Sequence, residues 1–296
     1  LDEIQYASDW DRWLKVYYDT KPKWKVVATG SASPKLIEGV KESGVGRWTV
    51  VCVPTLSFYE FCEILGAEER PKDLPHLDLR KLSNFNVRNL TVLEKVFLYL
   101  CFNSSSVINI STISKQIENV SGTTIENYIH LLENTNLIYR SLPIELGGKK
   151  ILKAKPKIYI SDPAIRNAVL MIDNLFTDSK ELGITVETAV FKHIYSFYSE
   201  ENVKIGYFRK PTDNQKEIDI VAQFPNGKSL IEVKFREDST PAENDAIVQI
   251  CQKEKDIISA VLITKRTEDY GRLELTAKVP IIKIPAFVFM YLFGKR

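Results

Sequence analysis

The sequence predicts an α/β fold in three units, on three observations. Residues 1–66 alternate short strands with helices. Residues 89–145 read as helices closed by a strand, and residues 150–296 as a tight hairpin set among helices and further strands. Residues 67–88 are polar and irregular, with Pro71 and Pro75, and read as a linker. A chain of 296 residues has room for two or three such units.

In the first unit Trp10, Trp13, Leu14 and Tyr17 recur at helical spacing, and Pro22 ends that helix. Lys25–Ala28 predicts a short strand. Thr29-Gly30-Ser31-Ala32-Ser33 turns into a helix near Pro34, a good first-turn residue. Thr49–Val53 is the next strand, and Leu56–Phe61 opens another helix. So few parallel strands cannot close a sheet alone, so either residues upstream of Leu1 are expected or this region leans on the rest of the chain, and residues 25–28 should form an exposed or borrowed strand edge.

In the middle, Thr91–Cys101, Ile110–Ile117 and Thr123–Leu132 read as helices and Leu137–Leu142 as a strand. Ser121-Gly122-Thr123-Thr124 supplies the cap and turn. This is a helix-turn-helix with a strand behind it, the winged-helix pattern. From 150 onward the sequence predicts a strand at 158–162, helices at 163–173 and 185–198, and strands at 217–223 and 228–235. The dipeptide Asn226-Gly227 joins those two strands. A helix at 242–259 and strands at 260–264 and 279–284 follow, and this third unit should hold a complete core of its own.

Composition narrows the function classes. Forty basic residues stand against 38 acidic, a net charge of +2, so any nucleic-acid site must be a local patch. Cys52, Cys62, Cys101 and Cys251 form no C-x-x-C pair, which argues against structural zinc and for reduced cytoplasmic thiols. No apolar run is long enough to span a membrane.

Two constellations could carry chemistry. Asp2-Glu3, followed by the strand that ends at Thr29 and Ser31, has the layout of the back part of a nucleotide-hydrolysing α/β domain. Asp2 would hold water-coordinated Mg²⁺, Glu3 would orient the attacking water, and Thr29 or Ser31 would touch that water or the γ-phosphate. Arg47 is a candidate phosphate sensor, or else a brace for strand 49–53. No G-x-x-x-x-G-K-[ST] loop occurs, so these residues alone should not hydrolyse ATP. The alternative for Asp2-Glu3 is a solvated acidic pair.

The second constellation is Glu217-Ile218-Asp219 with Glu232-Val233-Lys234 across the hairpin. Strand alternation sets Glu217 and Asp219 on one face and Ile218 and Ile220 on the other, and sets Glu232 with Lys234. Asp219 and Glu232 could share Mg²⁺, Lys234 could orient or help deprotonate a water, and Glu187 could reach the same metal from its helix. The alternative is an ordinary half-exposed hairpin with cross-strand charge pairs. The helix-turn-helix offers backbone amides near Ser121 and Thr123 to a phosphate, but 124–130 is poor in Lys and Arg. DNA contact and a structural or coupling role both stay open. The basic run Lys149, Lys150, Lys153, Lys155 and Lys157 reads as a phosphate-following segment or a solvated loop.

Taken together, the chain resembles prokaryotic AAA-type ATPases that carry a C-terminal DUF4143 domain. Leu1–Gln5 is similar to their Walker B strand, and Val27–Ser33 to their sensor strand. Gly46-Arg47 with Leu56–Phe61 is similar to their G-R…L-S-F-x-E-F segment, and Lys157–Asp162, Leu170, Glu187, Phe191, Tyr207–Arg209, Glu217–Asp219 and Ile231–Lys234 to their C-terminal half. The resemblance implies a partial P-loop sheet of the AAA type, a winged-helix connector, and a C-terminal domain like the restriction-endonuclease, or PD-(D/E)xK, fold. It also implies ATP with Mg²⁺ in the full-length protein, Mg²⁺ in the C-terminal domain, and DNA, a protein or a second copy as partner. Two departures stand out: no phosphate-loop lysine, and no match for the stretch that the family carries between its L-S-F-x-E-F helix and the winged helix. The rival readings are a Mg²⁺-dependent nuclease regulated by the ATPase half, and an interaction module switched by ATP.

Overall fold

The computed structural model describes residues 1–2, 4, 7–21, 23–30, 49, 51, 53, 90–117, 120–145, 155–198, 201–210, 213–273 and 278–294. At the N-terminus, helix α1 (Trp10–Thr20) buries Leu14 alone; Trp13 lies exposed and Tyr17 stacks on Trp24 at 5.7 Å. The four-residue apolar stripe expected for this helix thus narrows to one position. Residues 24–30 adopt no regular strand. They do exchange bonds with the first residues: the Leu1 amino group donates to Val27 O at 2.8 Å and Thr29 N to Leu1 O at 2.8 Å. One residue bridging i and i+2 of a neighbour is the pattern of a parallel pair.

The middle of the chain is helical. Helices α2 (Leu90–Phe102), α3 (Ile110–Gln116) and α4 (Gly122–Asn134) pack around Leu93, Leu100, Ile113, Ile125, Ile129 and Leu132. Ser121 caps α4 through its hydroxyl, which accepts from Thr124 N at 3.1 Å. Three strands close this core: β1 (Ser106–Val107), β2 (Ile138–Pro143) and β3 (Lys157–Ile160), with β3 paired antiparallel to both others. Alternation along β3 turns Ile158 and Ile160 into the helical core and Tyr159 into the core beyond.

The sheet runs on without a break into the C-terminal half. Strands β4 (Lys204–Lys210), β5 (Asp213–Phe224), β6 (Gly227–Lys234), β7 (Ile257–Thr264), β8 (Gly271–Arg272) and β9 (Ile281–Pro285) complete a mixed sheet of order β1-β3-β2-β4-β5-β6-β7-β9-β8. The join is the short parallel pairing of β2 with β4. Gly206 permits it: a Cβ there would stand 2.2 Å from Leu142 O. Helix α7 (Ala246–Lys253) covers one face through Ile247, Val248 and Cys251. On the other face lie α6 (Ser179–Phe197) and α8 (Ala286–Gly294), through Val190, Phe191, Ile194 and Phe289; the short α5 (Pro163–Val169) precedes α6. Two covered faces explain why these strands are nearly continuous in apolar residues.

Further elements depart from the sequence reading: the helix expected over 163–173 ends at Val169. Helix α6 starts six residues before the expected Thr185, because Asp178 caps it by accepting from Lys180 N and Glu181 N. The helix expected over 242–259 shrinks to α7, since the β-branched run from Ile257 joins β6 as a parallel strand. Ile218 and Ile220 do not share a face. Between the pairs Gly206↔Val221 and Phe208↔Ile218, β5 carries one extra residue, a β-bulge that sends Ile218 to the α7 core and Ile220 to the α6 core.

Candidate functional site

Asp219 lies within that bulge, at the point where β5 and β6 stop pairing. The last register pair is Ile220↔Ile231, and beyond it a side chain replaces the backbone ladder: Asp219 Oδ2 accepts from Val233 N at 2.9 Å. Its other oxygen faces Lys157 Nζ at 3.4 Å. Lys157 opens β3 and is 2% exposed. Its ammonium also meets Glu187 Oε1 at 2.8 Å and Glu217 Oε1 at 2.9 Å, so α6, β5 and β3 each contribute to one charge cluster. Tyr159, two residues on and so on the same face, donates to Glu187 Oε1 at 2.9 Å and stacks on Phe191 at 3.9 Å. Arg209 holds the second oxygen of Glu217 through Nε and Nη2, at 2.7 and 2.6 Å.

The electrostatics follow from burial. Burial alone would depress the Lys157 ammonium, but Glu187, Tyr159, Asp219 and Glu217 hold its pKa well above the ordinary lysine value, so it is charged. Burial pushes Glu187 up to about 7, against the pull of Lys157. Glu232 is also raised well above the usual carboxyl range by burial, then by the negative charge of Asp219. Its Oε2 is buried with no hydrogen-bond partner, which fits a carboxyl held neutral. Lys234 turns to Asp245, the residue that precedes α7.

The structure therefore brings Glu187 and Asp219 together around Lys157, while Lys234 pairs elsewhere. Among the described residues no group of three or more His, Cys, Asp or Glu side chains is disposed to hold a metal ion. At the N-terminus it brings Asp2 and Thr29 together, the Thr29 hydroxyl donating to Asp2 Oδ1. Glu3, Ser31 and Arg47 lie outside the described residues.

Lys157 is the residue that sequence reasoning misplaced. Grouped with a solvated or phosphate-following run, it is instead the buried centre of the cluster. The available signal was its position opening the apolar strand Lys157-Ile158-Tyr159-Ile160, where a charge sharing the face of a buried Tyr must find carboxylates. Glu217, read only for its shared face with Asp219, is a full member of the cluster.

Comparison with known proteins agrees with this layout. Residues 1–62 match a family described as an AAA domain, residues 76–175 a domain of unknown function, DUF8612, and residues 182–287 a second domain of unknown function, DUF4143. The chain thus joins an AAA-type domain to a C-terminal DUF4143 domain. An uncharacterised protein of Haemophilus influenzae is 24% identical over 89% of this chain and 71% of its own length. Among the described residues no helix is long and apolar enough to cross a membrane.

Proposed function

We propose that the full-length protein is an ATP-binding and ATP-hydrolysing switch whose C-terminal domain, of PD-(D/E)xK-like fold, receives a partner rather than cutting one. The observation that carries the reading is the meeting of Asp2 with Thr29 across a parallel pairing of residues 1 and 27–29. A carboxylate that would hold water-coordinated Mg²⁺, with a polar sensor residue at the end of the neighbouring strand, is what phosphoryl transfer to water requires. In this reading Glu3 would orient the attacking water, and Ser31 and Arg47 would serve the γ-phosphate held by a phosphate loop of the full-length protein. The test is ATP turnover by the full-length protein. Glu3→Gln should retain Mg-ATP binding and lose turnover; normal turnover in that variant removes Glu3 from the role.

The helices α2–α4 with their strands form the winged-helix connector in this reading, and a protein is the favoured partner. What supports that choice is α4 itself. Its Glu126 and Glu133 pair with Arg140 at 2.7 and 3.3 Å and flank His130, so the helix that would enter a DNA groove carries carboxylates. Gel shifts at low salt with Mg-ATP test it, since phosphate contacts show there first and weaken steeply as salt rises. Retarded duplex or single-stranded DNA would replace the protein partner with nucleic acid. Metal-dependent cleavage lost in Asp219→Ala would put the regulated nuclease first.

A further inference from the structure

We propose that Lys157 is the resident cation of the C-terminal carboxylate cluster and stands where a divalent metal would otherwise be held. A domain that resembles PD-(D/E)xK nucleases implies Mg²⁺ at Glu187, Asp219 and Glu232, and the residues present do not fit that ion. Mg²⁺ demands near-octahedral oxygen ligands at about 2.0–2.1 Å. Here the oxygens that Glu187, Glu217 and Asp219 turn toward one another already converge on an ammonium at 2.8, 2.9 and 3.4 Å.

Other donors engage the same carboxylates. Asp219 Oδ2 takes the Val233 amide, Glu217 Oε2 takes the Arg209 fork, and Glu187 Oε1 takes the Tyr159 hydroxyl in addition to Lys157. Lys157 is also deeply enclosed, at 2% exposed. It is buried within β3, whose backbone pairs with β1 and β2, and its ammonium stands 5.6 Å from the centre of the Tyr159 ring. Lys234, the residue that would serve a water in a nuclease, is drawn off by Asp245. The ammonium has a second effect that a metal ion would not: it is carried by β3, so three carboxylates of α6 and β5 grip a strand of the helical unit and tie the two halves of the sheet together.

This inference deepens the reading of the C-terminal domain as a receiving module and rests on it. Cleavage of nucleic acid tests that reading, and the cation is tested separately by metal binding without nucleotide. Full-length wild type titrated with Mn²⁺ and followed by electron paramagnetic resonance should show no site sensitive to Asp219→Asn or Glu187→Gln. Its melting temperature in millimolar MgCl₂ should equal that in NaCl of the same ionic strength. Lys157→Met should melt lower in EDTA, recover with Mg²⁺ or Ca²⁺, and tighten Mn²⁺ tenfold or more, a gain lost again in Lys157→Met/Asp219→Asn. Wild-type Mn²⁺ binding abolished by Asp219→Asn overturns the proposal, as does a folded Lys157→Met that gains no metal. If Lys157→Met does not fold, the wild-type titration decides alone.

Discussion

Asp2 at the N-terminus and Asp219 in β5 are both acids that accept a hydrogen bond from a neighbouring segment, and they differ in what meets them. Asp2 is exposed and receives a neutral hydroxyl from Thr29. Asp219 is largely buried and receives a backbone amide on one oxygen and a share of the Lys157 ammonium on the other. A hydroxyl orients a carboxylate without the charge offset that an ammonium brings. An ammonium at the centre of three carboxylates offsets one unit of their charge, the Arg209 guanidinium on Glu217 offsets another, and the group becomes part of the fold. The same residue type thus sits at the surface beside a hydroxyl in one place and inside a buried ion cluster in the other; under the proposed function the first serves ligand chemistry and the second cohesion.

The widest break in that comparison is expected from Lys157→Met without added metal. Removing one partner of a buried ion cluster strands the others, and such losses run to about 3–5 kcal/mol. Urea denaturation of wild type and variant in EDTA should show a loss of that size. A loss within about 0.5 kcal/mol, the scale of an ordinary surface substitution, would mean that the cluster is solvated and Lys157 replaceable. Tyr159→Phe comes next. The ring and its stacking on Phe191 survive, so what is lost is the hydroxyl's bond to the Glu187 carboxyl, with its longer contact to Asp219 O at 3.4 Å, about 1.5–3 kcal/mol for a bond to an ionised carboxyl.

How much of this could be read in advance depends on whether local pattern or distant contact decides the element. The hairpin was legible because Pro225, Asn226 and Gly227 punctuate two apolar runs locally, although the loop is Pro225-Asn226 and Gly227 already pairs with Phe224 as the first residue of β6. The α4 cap and the α4 core stripe of Ile125, Ile129 and Leu132 were legible for the same reason. The β5 bulge was not: strict alternation from Glu217 to Val221 is what an unbulged strand looks like, and only pairing with β4 inserts the extra residue. Lys157 was misread because its partners lie 30, 60 and 62 residues away, a separation no local pattern records. The short α7 was missed because tertiary pairing with β6 claimed residues that helical spacing had assigned to the helix.

Thr29→Val sharpens the other side of the comparison. The hydroxyl is exposed, so the substitution should change stability by no more than about 0.5 kcal/mol. In the protein that carries its phosphate loop, it should nevertheless slow ATP hydrolysis by about tenfold or more, because a positioned polar group near the reacting phosphate acts mainly in the transition state. Steady-state turnover beside thermal melts separates the two effects. Equal turnover with a lowered melting temperature would make Thr29 a structural residue like those of the C-terminal cluster.

The smallest expected effect is a change of slope at Glu232. Burial, and then the charge of Asp219, raise its carboxyl pKa well above the ordinary range in the folded protein. As pH rises through the ordinary carboxyl range, the unfolded chain gives up this proton while the folded chain keeps it. The folded state then binds more protons, so this residue's contribution to stability falls with rising pH until the folded carboxyl itself ionises. Glu232→Gln keeps an acceptor at the buried Oε2 position and has no proton to lose. Wild type and variant should differ least at acid pH, and wild type should lose ground to Glu232→Gln as pH rises to neutrality. Paired urea titrations across that range read the difference directly. If wild type instead gains on the variant with rising pH, Glu232 is ionised in the fold and served by a cation. That result would return Glu232 and Lys234 to the list of candidate catalytic groups.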